Sequence, residues 1–98
     1  MSASAFNEIA VLWAEHVEAP WPDDLYSAGG PGKDVAEIDG AMAGCISTYL
    51  QIHGVLDTDR SRILRSSSSD LEEILPRLQG EAAAYVRRLI RMADLIAF

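Results

Sequence analysis

One cysteine, Cys45, and one lysine, Lys33, are all the chain has of either residue. A lone thiol excludes an intrachain disulfide and suits a reducing, cytoplasmic setting. Histidine is nearly as scarce. His16 and His53 fall on different predicted helices, and neither belongs to a Glu-x-x-His or His-x-x-x-His set. Zinc needs more sulfur or imidazole than this, and carboxylate-bridged bundle metals need Glu-x-x-His on two helices. No metal or other cofactor is expected. Long apolar runs are missing too. The longest uncharged stretch, 40–56, is seventeen residues and includes Ser47, Thr48, Gln51 and His53. That is short of the ~20 apolar residues a membrane span needs, so it reads as a buried helix. The first eight residues carry no basic region and reach Glu8 early, unlike a secretory signal.

Positive charge is the most unevenly missing quantity. Ten acids precede Arg60 against Lys33 alone, a balance of −9, whereas five acids and seven arginines follow from Arg60 onward, a balance of +2. A one-sided field of this kind governs partner choice more than fold. The net charge of −7 disfavours nucleic acid, whose phosphates would be repelled. Arg87, Arg88 and Arg91 read as a solvated helix face rather than a phosphate footprint. A basic protein is the partner class the charge suits.

Ninety-eight residues, about half apolar and a quarter charged, make a single domain spanning 1–98 with one modest core. The apolar period is helical throughout. Phe6, Ile9, Ala10, Trp13 and Val17 share one face of a helix over 4–18, with Ser4 as its cap and Pro20 beyond its end. Val11 and Leu12 lie off that stripe, as extra core contacts or an exposed apolar spot. Residues 19–33 form the one long connection, a Pro/Gly loop opened by Pro20-Trp21-Pro22 and closed by Gly29-Gly30-Pro31-Gly32. Trp21 and Tyr26 on this loop either pack back over the helices or anchor a partner.

Asp34 caps a second helix over 35–53, with Glu37 completing an Asp-x-x-Glu box. Its bulky face is Val35, Ile38, Met42, Cys45, Tyr49 and Ile52. The opposite face, Ala36, Gly40, Ala43 and Ser47, is small enough for close approach to Ala82 and Ala83, and this helix is expected to be central. Gly54 ends it as the residue after the cap. Asp57 or Thr58 starts a third helix over 58–75, carrying Ile63, Leu64, Leu71, Ile74, Leu75 and Leu78, with Ser67 as a small gap-filler. Pro76 ends or kinks it, and Gly80 resets the chain. A fourth helix over 81–97 turns Ala82, Tyr85, Val86, Leu89, Ile90, Ala93 and Ile96 inward. The expected fold is all-α, a compact four-helix bundle.

The chemistry the sequence offers is thin. Gly29-Gly30-Pro31-Gly32-Lys33-Asp34 invites comparison with a phosphate-binding loop. The Walker pattern, however, requires Ser or Thr where Asp34 stands, and a preceding strand. Asp23-Asp24 and Glu37/Asp39 are the available carboxylate pairs, and both sit where helix dipoles favour acids anyway. Cys45 and His53, eight residues apart, are ~12 Å distant along one helix, too far for a nucleophile pair. No catalytic constellation emerges, and the chain is not expected to be an enzyme.

The stretch from Ile38-Asp39-Gly40 through Ala43-Gly44-Cys45-Ile46-Ser47-Thr48-Tyr49-Leu50, with Gly54-x-Leu56-Asp57 and Leu75-Pro76-x-Leu78-x-Gly80-Glu81, resembles a bacterial small-protein family without a clear assigned role. In size, acidity, helical pattern and lack of catalytic groups the whole chain is also similar to bacterial immunity proteins and antitoxins. That likeness is one of type, so it implies a function class and transfers no residue. The expectation is a stoichiometric inhibitor occluding a basic partner, in the most concrete case a toxin. Asp23, Asp24 and Glu15 would steer, while Trp21, Tyr26 and Leu12 anchor. The alternatives are a self-associating subunit with Val11, Leu12 or the Gly40/Gly44 face as its seam, or a small-ligand sensor beside the second helix.

Overall fold

A computed structural model describes residues 3–29 and 34–97. Four α-helices account for most of them: α1 (Ala3–Glu18), α2 (Val35–Ile52), α3 (Thr58–Ile74) and α4 (Gly80–Ala97). Two 3-10 turns, Asp23–Tyr26 and Leu75–Arg77, complete the order, and no strand occurs among the described residues. The expected all-α fold is present, with helix ends within one residue of those read from the sequence. α1 begins at Ala3, before its expected cap Ser4. Within the predicted loop, Pro22 is followed by the turn Asp23–Tyr26, which buries Leu25. The loop's glycine-rich half, Gly30 to Lys33, lies outside the described residues, and so does the core of the Walker-like stretch.

Local chemistry explains the helix boundaries. The Asp34 carboxylate accepts from the Ala36 amide at 2.9 Å, and the Asp57 carboxylate accepts from the Arg60 amide at 2.8 Å. Each satisfies an amide that has no partner within its own helix. α3 stops at Ile74 because Pro76 cannot donate to the ladder, and the chain tightens into the turn Leu75–Arg77. At the end of α2 the left-handed residue is His53, with φ 54°, not the predicted Gly54. The His53 ring stacks on Phe6 with centroids 4.8 Å apart and planes 17° apart, a contact that offsets the conformational cost.

The centre of the fold is α4 rather than α2. It packs against α1, α2, α3 and both 3-10 turns. It buries Ala82, Ala83, Tyr85, Val86, Leu89, Ile90, Met92 and Ala93. α2 buries Val35, Met42, Cys45, Ile46 and Tyr49, but Ile52 is exposed. Its small face is open in part, with Ala36 and Gly40 exposed and Ala43 and Ser47 half-buried. Gly40 and Gly44 are exposed, and a methyl group added at either would meet nothing within 4 Å. They border an open groove of about 600 Å³ with Cys45, Thr48, Arg60 and Ile63.

Two other faces are rotated from expectation. In α1 the inward stripe is Ile9, Leu12, Trp13 and His16, leaving Val17 exposed. In α3 Ser68, not Ser67, is the buried serine, and Ile63 is exposed. Among the described residues no helix is long and apolar enough to cross a membrane.

Candidate functional site

A polar cluster lies where α1, α2 and α4 meet. The α1 stripe runs Ile9, Leu12 and Trp13, then His16, so the helical period carries an imidazole inward beside aliphatic neighbours. His16 is only 6% exposed. Its Nε2 lies 3.0 Å from Oδ1 of Asp39 on α2. The phenol of Tyr85 on α4 donates to the other Asp39 oxygen at 3.1 Å and sits 3.4 Å from His16 Nε2. An ionised carboxylate only accepts, so Nε2 carries the proton toward Asp39, leaving Nδ1 as the free end of the ring.

Aromatic rings close the cluster. Trp13 stacks on His16 with centroids 5.9 Å apart, and Tyr85 lies against the imidazole at 4.6 Å. Trp21 meets the Tyr85 ring edge-on at 5.4 Å, and Tyr26 meets Trp21 at 5.8 Å. Burial, and then the Asp39 carboxylate that its proton bridges to, push the Tyr85 phenol well above the ordinary tyrosine value. Arg88, one turn farther along α4, acts on that phenol in the opposite direction.

Three buried side-chain atoms among the described residues have no hydrogen-bond partner: His16 Nδ1, Trp21 Nε1 and Arg88 Nη1. His16 and Trp21 both lie against the Tyr85 ring, and Arg88 acts electrostatically on its phenol. Arg88 was expected to point away from the core with Arg87 and Arg91, yet it is half-buried, and it forms no ion pair among the described residues. Arg91 does face outward and clamps Glu8 of α1 at 2.8 and 3.2 Å, so one acid of the negative half is answered across the fold. That contact holds the Glu8 carboxyl below its usual range.

The residues expected to bind a partner lie just beyond the cluster. Glu15 is exposed on α1, and Asp23 and Asp24 are exposed in the first turn of the 3-10 segment. Tyr26 is 75% exposed, whereas Trp21 and Leu12 are partly buried against the core. Tyr85 thus ties Trp21, and through it Tyr26, to the buried His16–Asp39 pair. Glu15, Glu18, Asp23 and Asp24 form no ion pair among the described residues.

Sequence reasoning did not assemble the His16–Asp39–Tyr85 cluster. It treated Asp39 as half of a carboxylate pair with Glu37 and tested His16 only for metal spacing. A signal was present, since His16 lies seven residues after Ile9, on the stripe that the helical period defines. As for reactive groups, burial raises the Cys45 thiol pKa, which keeps it protonated and inert at neutral pH. No group of three or more His, Cys, Asp or Glu among the described residues could hold a metal ion. No family model, curated protein or solved structure matches the chain.

Proposed function

We propose that the protein is a non-catalytic binding module that docks a basic partner protein on the face formed by the end of α1 and the turn Asp23–Tyr26. The observation that carries this reading is a set of unanswered acids, two of them in the same 3-10 turn as an exposed aromatic. Glu15, Glu18, Asp23 and Asp24 lack ion-pair partners among the described residues, and Tyr26, two residues after Asp24, stands 75% exposed against the Trp21 ring. The carbonyl end of α1 adds partial negative charge beside Glu15 and Glu18. Acids of this kind steer a cationic surface into contact, and an edge-held tyrosine supplies contact area at low entropic cost. In its most concrete form the module is an immunity- or antitoxin-like inhibitor that acts by occlusion in the cytoplasm.

The test is kinetic. A partner captured with the tagged protein from its host is purified, and association is followed by stopped flow at rising ionic strength. The association rate is expected to fall by on the order of 10-fold from low to physiological salt. Asp23→Lys combined with Asp24→Lys is expected to slow it by a similar factor. A rate independent of salt, or unchanged in the double variant, would rule out steering by this face.

A second reading rests on a separate observation. The open Gly40/Gly44 groove adjoins exposed Ile63, and Val55 is 92% exposed. Small residues that no helix covers in the monomer suit a seam between two copies of the chain.

A further inference from the structure

We propose that the outward face of α1 receives a basic amphipathic helix of the partner, laid side by side along it. The face belongs to the docking reading above, on which this assignment of the partner's element rests. Val11, Ala14, Glu15 and Glu18 follow one another at i, i+3, i+4 and i+7, so they form one diamond on one side of the helix. All four are exposed, Val11 to 59%. Val17, a further step of three along the Val11–Ala14 row, is 63% exposed. Leu12, expected as an anchor, packs toward the core, and its neighbour Val11 stands in solvent instead.

Charge sets the sign of the occupant. α1 carries no lysine or arginine, and its histidine, His16, is buried against Asp39. Among the described residues, Arg91 is the arginine that reaches α1, and Glu8 takes it. Glu15 and Glu18 are left in solvent beside the valines, with no ion pair among the described residues. A second copy of this face would set acid against acid, which disfavours a symmetric pairing along α1. A cationic occupant lays the aliphatic stem of Lys or Arg over Val11 and Ala14 and brings its charged head to Glu15 and Glu18.

Backbone chemistry sets its conformation. An extended segment docks by pairing its amides and carbonyls with a sheet edge, and the described residues contain no strand. A helix satisfies those groups within itself and presents side chains alone, which suits a partner surface that is itself helical. In side-by-side packing a knob from one helix enters a hole between four residues of the other, and the Val11–Ala14–Glu15–Glu18 diamond is such a set. Ala14 is its small member and leaves the hole open.

The probe is a synthetic peptide of leucine, alanine and lysine, as long as α1, with its leucines on one helical face. A control peptide has the same composition with the leucines dispersed. Each is titrated into the ¹⁵N-labelled full chain. The expected result is a saturable shift of the Val11, Ala14, Glu15 and Glu18 amide signals by the amphipathic peptide. Helical circular dichroism should rise with it, since a free peptide of this length is marginally helical at best. Val11→Gln with Val17→Gln keeps the charge and the helix propensity, and is expected to weaken binding about 10-fold. Glu15→Gln with Glu18→Gln is expected to weaken it by a similar factor. Equal affinity for the dispersed control would overturn the helical occupant and leave a surface that answers to charge alone. Movement of the same signals when the protein alone is concentrated would replace it with a second copy of the chain. Shifts confined to other elements, or none, would also sink it. The docking reading is judged separately. A captured partner whose association still slows with salt and in the Asp23→Lys, Asp24→Lys variant preserves that reading where the helical occupant fails.

Discussion

Tyr85 shows how one side chain is constrained from several directions at once. Its ring fills space between His16 and Trp21, and its hydroxyl gives its proton to Asp39. A charged acceptor that loses its donor in a buried site is costly, on the order of 2 kcal/mol. Tyr85→Phe is therefore expected to destabilise the protein by about that amount at pH 7, measured by chemical denaturation. The pH dependence follows from the raised phenol. A group whose folded value is raised stabilises fully below its unfolded value, about 10 for tyrosine, and that contribution disappears as pH climbs toward the folded value. The gap between wild type and Tyr85→Phe should thus narrow above about pH 10. Tyr49, also raised by burial, titrates in both proteins and cancels from the comparison. A gap that stays constant to pH 11 would mean that the hydroxyl is not held this way.

At the scale of the element, boundaries were far more legible than faces. Asp34, Asp57 and Pro76 act through chemistry within a few residues of themselves, and the helix ends fall where they dictate. The end of α2 is the exception, because the stacking that holds His53 left-handed comes from Phe6 on another helix. This separates two substitutions that sequence alone would not rank. His53→Ala loses the stack and keeps the unfavourable backbone, while His53→Gly loses the stack and relieves the backbone. The glycine variant is expected to be the more stable by about 1 kcal/mol, read from paired urea melts. Equal stability would show that the α2 terminus unwinds rather than strains. Helix faces differ from expectation by one residue in either direction, with His16 buried in place of Val17 and Ser68 in place of Ser67. The helical period allows a stripe to shift by one residue, and only the neighbouring helices fix which version is buried.

The whole molecule has a radius of gyration of 12.8 Å, close to the value of about 13 Å for a compact chain of this length. Its charge halves are joined only in part. Glu8 meets Arg91 across α1 and α4, but the acids from Glu15 to Asp24 gain no such answer among the described residues. The surface also carries an open groove at Ile63 and the exposed Gly40/Gly44 backbone, flanked by Asp57, Asp59 and Arg60. If two copies meet there, light scattering coupled to gel filtration will give twice the monomer mass at low micromolar concentration. Gly44→Leu will then return it to the monomer mass. A Cβ at that position meets nothing within 4 Å, and the side chain grows into the open groove. A monomer mass for wild type at high micromolar concentration would remove the self-association reading.

The sequence by itself determined the helical class, the helix ends and the charge asymmetry. Each follows from composition, from residues a turn apart, or from a sum over the chain. Only the tertiary structure decided that α4 is the centre, that Gly40 and Gly44 of α2 stay exposed, and that Arg88 is half-buried. It alone joined His16, Asp39 and Tyr85, which lie 23 and 46 residues apart in the chain. Local propensity carries no information about which helix faces another. Packing resolves that choice by burying the largest apolar area available, and the polar groups caught inside must then find partners among themselves.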